Sequence, residues 1–479
     1  MQNSKLVETI RTFSHKQRER FKDFLNSPFF NKNEKLVQFY TYLLRYAPTF
    51  SHKNLAKQVV FMHIFPDKKF NDLKLRHLMS DLLKMLERFI THTTLETNDV
   101  EIGLKLISYY NDNGLNRHVN DNLKSTRKTN RKSPYRNAQF FYNQFSIERE
   151  EATFLSTSGG RTGNFNLQET VNELDRFYMI QKLALSCTKV NLTNNAATQF
   201  DSFLLEEIIQ LVESQKFEET PALQIYYHAY LMLKEEDTER HFTAFKELIV
   251  EHSDLFPFEE AIGLYTYAKN FCIWNINAGK QTYYDELFEL YQSEVTRQSH
   301  ESNVVGITPG NFKNIVTVGL RLGKFDWVKQ FIEDHKENID ATYPQDVANY
   351  NMAQVFFYQE DYDSAIDLLG QKYDDPFFEI DSRKLLIKIF YETQEWIVLD
   401  NVLNTLRVFI HRNRKIANRY KSSNRNFLNI LFKITKARDK ARSKGKVVYD
   451  KIEKLINETS LLAERKWLLE KLKELRSKD

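Results

Sequence analysis

Ala365 and Leu399 lie 34 residues apart, and each follows one aromatic three residues back (Tyr362, Trp396) and another nine residues back (Phe356, Phe390). Val328, 37 residues before Ala365, likewise has Phe325 three residues back. The clearest copy of the pattern is Asn349–Leu369, NYNMAQVFFYQEDYDSAIDLL. It predicts a helix with Phe356 near its middle, a tight turn at Asp361-Tyr362, and a second helix in which the small Ala365 crosses the first. A two-helix unit of this length cannot bury its own apolar face and needs stacked copies. The recurrence therefore points to an all-α solenoid of antiparallel helix pairs.

Composition agrees. Only 13 Gly and 9 Pro occur in 479 residues, too few breakers for a loop-rich or β-rich fold. Aromatics make up 14% of the chain, enough to fill helix-to-helix seams. From about Leu167 to Ile410 the pattern reads as paired helices, with breaks at Thr220-Pro221, Phe256-Pro257, Thr308-Pro309, Tyr343-Pro344 and Asp375-Pro376. The intervals are 36, 52, 35 and 32 residues, so one of them must hold a longer second helix or loop.

Residues 1–97 read as a separate helical region. Ser14 and Gln17 form a capping-box pattern. Ser27-Pro28, Pro48 and Pro66 stop successive helices, and Leu55, Val59, Val60 and Met62 suggest the apolar side of the third. Leu75, Leu78, Met79, Leu82, Leu83, Leu86 and Phe89 form an amphipathic stripe. The repeats span 98–410, where Tyr110, Gly114 and Val119 match the offsets of Phe356, Glu360 and Ala365. Residues 156–166, STSGGRTGNFN, read as a mobile loop within them. Residues 411–479 read as a basic C-terminal cap whose last helix runs from about Val447 to Arg476.

Over Asn311–Arg407 this order of residues resembles the tetratricopeptide repeat (TPR), with departures: Glu360 and Glu395 stand for the turn glycine, and Leu399 for the small crossing residue. A generic array of helical hairpins from another family has nearly the same fold consequences. The resemblance implies a binding protein. TPR proteins that hold chaperone C-termini use a two-carboxylate clamp of Lys and Asn on the first helices of successive repeats. Here Lys313 and Asn351 fall at clamp-like positions, whereas Thr317, Asp381 and Leu385 occupy the other three. An acid at 381 repels a carboxylate, so the resemblance implies a groove for some other protein or peptide. Lys313, Asn314, Asn351 and Gln354 are its candidate lining.

Motifs for chemistry are missing from the sequence. Gly159, Gly160 and Gly163 lack the Lys-Ser/Thr of a phosphate loop. There is no HExxH, and His63, His77, His92 and His118 show no metal-like pairing. No nucleophile signature surrounds Cys187 or Cys272, which read as buried thiols of a reducing cytoplasm. The N-terminus has no signal-peptide h-region, and no apolar run reaches the roughly 18 residues of a membrane span. The expectation is a cytoplasmic protein without cofactor, membrane attachment or catalytic residues.

Charge is uneven. Residues 407–451 carry 15 Lys/Arg against two acids, net +13 in a chain of net +4, which leaves −9 elsewhere. Arg412, Arg414, Lys415, Arg419, Lys421 and Arg425 are candidate phosphate contacts, with Tyr420, Phe427 and Phe432 interleaved. The sequence thus favours a non-catalytic scaffold or adaptor that binds a protein or peptide partner. A nucleic-acid-associated factor using the basic segment is the alternative, and an enzyme with no recognisable motif comes third.

Overall fold

The computed structural model describes residues 1–158, 165–193, 203–214, 219–234, 238–299, 306–413 and 416–478. The fold is all-α and solenoid-like, with consecutive helices packed in pairs. Among the described residues no strand occurs, and the β geometry is a single isolated bridge between Ile307 and Ile339. The chain divides into two compact units, Met1–Ala261 and Ile262–Asp479.

Unit 1 opens with α1 (Lys5–Arg11), α2 (His15–Asn26), α3 (Glu34–Leu44), α4 (Lys57–Ile64) and α5 (Asp72–Glu96). These share one core running from Leu6 to Phe89. The Ser14–Gln17 capping box starts α2. In α4 the buried residues are Val60, Phe61 and Ile64, while Val59 and Met62 face solvent; the sequence reading of that helix was rotated. The short apolar run offers two faces, and the tertiary neighbours choose between them.

Helices α6 (Asp99–Asp112) and α7 (Asn116–Lys132) then pair, as do α8 (Ala138–Ser158) and α9 (Leu167–Thr193). After α10 (Leu205–Glu213) come the paired α11 (Pro221–Lys234) and α12 (Thr238–His252). The expected loop at 156–166 lies largely outside the described residues.

The unit boundary falls within α13 (Phe258–Asn277). Unit 2 continues with α14 (Tyr283–Ser299), α15 (Pro309–Arg321), α16 (Phe325–His335), α17 (Pro344–Tyr358), α18 (Tyr362–Leu369), α19 (Pro376–Glu392) and α20 (Trp396–Arg412). Contacts run between partners in a hairpin and also from α15 to α17 and from α17 to α19, so successive first helices lie side by side.

The repeat phase is written in the backbone. Pro221, Pro309, Pro344 and Pro376 each open a first helix, and Pro257 immediately precedes α13. Proline suits this position because its missing N–H would be unpaired there anyway. Five first helices end in the same turn, with a residue of positive φ two places before the second helix or the turn leading to it: Gly114, Gly279, Gly323, Glu360 and Gln394. In each, the following N–H reaches back five residues, as in Leu115 to Tyr110, Lys280 to Asn275, Lys324 to Gly319, Asp361 to Phe356 and Glu395 to Phe390. This is the Schellman arrangement. The left-handed residue of the last turn is Gln394, one place before the Glu395 read from the sequence. Five residues beyond the left-handed position, Val119, Val328, Ala365 and Leu399 are all buried. Phe390 is buried too, and Phe356 and Trp396 are half-buried.

The C-terminus differs from expectation. The basic segment and the following apolar stripe form one helix, α21 (Asn418–Glu458), which ends before α22 (Arg465–Lys478). The Arg465 guanidinium bonds the carbonyls of Ile456, Asn457 and Thr459, capping the end of α21. The break at Thr459–Glu464 folds α22 back, so that Trp467, Leu468 and Leu472 join Tyr449, Ile452 and Ile456 in a core shared with α19 and α20. A continuous helix over 447–476 would have left that apolar side uncovered.

Candidate functional site

The face shared by α15, α17 and α19 brings the candidate groove residues together, but closes over two of them. Asn351 is fully buried; its amide donates to Val347 O at 2.7 Å, and its oxygen accepts from Gln354 Nε2 at 3.4 Å. Gln354 is buried as well. Neither meets a ligand from solvent. Asn314 is exposed and bonds the Tyr291 side chain. Lys313 is half-buried over the Tyr350 ring, 5.2 Å from its centroid, and its ammonium lies 2.5 Å from Asp381 Oδ2.

Asp381 is the hub of a buried ionic network. Lys384 lies 2.8 Å from its other oxygen, to which the Tyr420 hydroxyl also donates at 3.1 Å. Lys384 then reaches Glu464 at 3.6 Å, and Lys388 meets the same carboxylate at 2.5 Å. Burial alone would raise the Asp381 carboxyl, but Lys384 and Lys313 outweigh it and hold it well below the ordinary range. Burial works against Lys384, yet Asp381 and Glu464 outweigh it and keep the ammonium charged. Burial pushes the Tyr350 hydroxyl well up, and burial with Asp381 beside it pushes Tyr420 up to about 12. Glu464 comes from the turn before α22, which ties in further through Trp467 Nε1 donating to Glu392 and through Lys471 at 2.7 Å from Glu392. The cations of this face are therefore matched by carboxylates from the chain itself.

The described basic candidates lie on two helices. Arg412 is exposed at the end of α20, and Arg414 and Lys415 lie outside the described residues. Arg419, Lys421 and Arg425 are in the first turns of α21, but Arg419 projects about 200° around the helix from Lys421. The solvent side of α21 instead aligns Arg425, Phe432, Lys433 and Lys436, with the Lys436 ammonium 4.3 Å from the Phe432 ring centroid. Lys433 and Lys436 were absent from the sequence candidates; their helical spacing from Arg425 was the available signal.

Sequence reasoning also missed an exposed apolar line on α9. Leu167, Val171, Leu174, Tyr178 and Leu185 are 39–59% exposed, while Met179, Ile180, Leu183 and Cys187 on the other side are buried. It also missed a histidine pair. His228 on α11 and His241 on α12 face each other at 2.9 Å through their Nδ1 atoms. Burial, with His241 and Arg240 nearby, lowers His228 to about 4. A pocket of about 290 Å³ in unit 1 is lined by Asn98, Asn130, Asn137 and Asn143, whose amides bond within the protein. Among the described residues no cluster of three or more His, Cys, Asp or Glu suited to a metal occurs, and no helix is long and apolar enough to cross a membrane.

No protein family, curated protein or solved structure matches this chain. The class defined here is that of an all-α protein built from paired helices.

Proposed function

We propose that this chain is a non-catalytic scaffold of TPR-like helix pairs that binds a protein partner through a helix surface. The observation that carries the reading is the α9 line: five large apolar side chains at helical spacing, held in solvent by a helix whose opposite side is packed. Contiguous exposed apolar surface on a folded protein marks an interaction site. The α15–α19 face supports the reading less well, because its polar groups are already paired with one another.

The test is affinity capture on the immobilised full chain, with and without nuclease, comparing the parent with Leu174→Glu. A bound protein that survives nuclease, depends little on salt and is lost with Leu174→Glu supports the scaffold. Equal capture by both chains refutes the assignment to α9.

A second reading rests on α21, where Arg425, Lys433 and Lys436 flank the exposed Phe432. Cations around an aromatic suit single-stranded nucleic acid. Filter binding decides it. Retention of RNA that falls about tenfold or more between 50 and 200 mM salt, and that Lys433→Glu weakens for every sequence alike, supports nucleic-acid binding. No retention at micromolar protein removes it.

A further inference from the structure

The exposed line on α9 has the spacing of a coiled-coil seam. Leu167, Val171, Leu174, Tyr178, Gln181 and Leu185 follow one another at intervals of 4, 3, 4, 3 and 4 residues. That is the a/d alternation of a heptad repeat, with Val171, Tyr178 and Leu185 at a and Leu167, Leu174 and Gln181 at d. The a/d seam of a coiled coil is ordinarily covered by another helix. Here the buried line of the same helix, through Met179, Ile180, Leu183 and Cys187, is the one that packs within unit 1. Helix α9 thus has two apolar sides, and its own unit covers one.

We infer that the second side is covered by α9 of a second copy of this chain, running antiparallel. Charge on the flank of the seam selects this occupant. Asp175 and Lys182 both lie at e positions, one heptad apart and about 10 Å along the axis, too far to pair within one helix. In an antiparallel pair the layers match each a with a d of the other copy, so Leu174 meets Leu185 and Tyr178 meets Gln181. In that register e faces e, and Asp175 of each copy faces Lys182 of the other. The two-fold makes every contact twice, as an isologous interface requires. A parallel pair would set e against g, placing Thr170 and Phe177 opposite these charges and leaving both unmatched.

Area sets the strength of the pair. Val171, Leu174, Tyr178 and Leu185 fall in layers of this register, with Val171 against Thr188, and offer on the order of 300 Å² of apolar surface per copy. Two copies then bury less than the roughly 1,200 Å² of a standard interface, which suits a weak pair. The seam is short and carries the polar Gln181 at one d position, which fixes register and weakens association. The dimer is therefore expected to be reversible, with dissociation in the micromolar range.

The inference rests on reading α9 as a protein-binding surface, and its test is separate from the capture experiment. Sedimentation velocity of the full chain from about 1 to 100 µM should show monomer converting to dimer. Lys182→Asp should weaken the dimer about tenfold or more, because it sets like charges together at both ends of the seam. Asp175→Lys should do the same. The double variant, Asp175→Lys with Lys182→Asp, should return to within about threefold of the parent, since e–e pairing is restored. Asp175 is exposed and Lys182 half-buried, and unchanged circular dichroism will certify the fold. A monomer at every concentration overturns the second copy as occupant. A dimer in which the double variant is as weak as the two single changes combined overturns the antiparallel arrangement.

Discussion

Asp381→Asn is the sharpest probe of unit 2. The substitution keeps the shape of the side chain and leaves an acceptor for the Tyr420 hydroxyl, but removes the charge that Lys313 and Lys384 share. The two lysines are affected unequally. The Lys384 side chain is 11% exposed and would keep only Glu464, at 3.6 Å. Lys313 is 34% exposed and can turn toward water. Breaking a buried pair by removing one partner costs roughly 3–5 kcal/mol, whereas a water-accessible ion contributes less than about 1. Glu464 offsets part of the loss, so the expected cost is about 3 kcal/mol. All four tryptophans, Trp274, Trp327, Trp396 and Trp467, lie in unit 2, so urea unfolding followed by their fluorescence reads this unit alone. With a slope of about 2–3 kcal/mol per molar urea, the midpoint should fall by about 1 M. The parent should also lose stability in acid. The folded carboxyl is held below its unfolded value, so its contribution is complete above the ordinary carboxylate range and is lost as pH falls from there to the depressed folded value. Asp381→Asn should lack that part of the acid limb. Adding Lys384→Met should recover part of the loss, because the stranded ammonium is then gone. An Asp381→Asn midpoint within about 0.2 M of the parent would refute the network as a buried, coupled unit.

Three further outcomes test other parts of the fold. At Gly319 an added Cβ would lie 2.5 Å from Val328 Cγ2, so Gly319→Ala should cost about 1–3 kcal/mol, and combining it with Val328→Ala should cost less than the sum by about 1 kcal/mol, measured by urea unfolding. Glu360→Gly and Gln394→Gly should each stabilise unit 2 by about 0.5–1 kcal/mol, since both residues are exposed and hold positive φ; a loss of stability would put the turns out of phase. His228, lowered to about 4, stays neutral while the unfolded chain takes up a proton near 6.5, so unit 1 should lose about 1–2 kcal/mol, allowing for partial exposure, as pH falls from 6.5 to 4. Hydrogen exchange in α11 reads that loss, and His228→Gln should abolish it.

The parts of the fold legible in the sequence are those set by local chemistry. Proline at a helix start and a left-handed residue at a helix end act over a few bonds, so Pro309, Pro344 and Pro376 mark three first helices and Gly323 and Glu360 two of the turns. Gln394 was misplaced by one residue because no glycine marks it, and Glu395 beside it looks equally unsuited to positive φ. The candidate groove was misread for a different reason. Spacing puts Asn351 on a first-helix face, but whether that face is open depends on neighbouring helices and on Glu464, contributed from 76 residues beyond Lys388. Nothing local to α17 or α19 encodes that return. The α9 seam was hidden by its own neighbours. Met179, Ile180 and Leu183 alternate with Tyr178 and Leu185, so the helix reads as apolar nearly all round, and period alone does not say which side stays in water.

The ionic network bears on where binding sits. A groove that captures an acidic peptide needs cations whose charges are incompletely matched until the ligand arrives. In unit 2 the chain itself provides two carboxylates, Asp381 for Lys313 and Lys384, and Glu464 for Lys384 and Lys388. An incoming carboxylate would have to displace a contact of 2.5 Å that is already shielded from water, regaining at most what it breaks. Helix α19 is buried on nearly every side, and the side of α17 that carries Asn351 and Gln354 is closed, so neither offers these groups to a ligand. On the binding reading proposed above, recognition would fall to helices with one uncovered side. Helix α9 is uncovered by apolar side chains, which favours a helix-shaped protein partner. Helix α21 is uncovered by cations around Phe432, which favours polyanions. The two surfaces predict opposite responses to salt, so one titration of binding against ionic strength separates them.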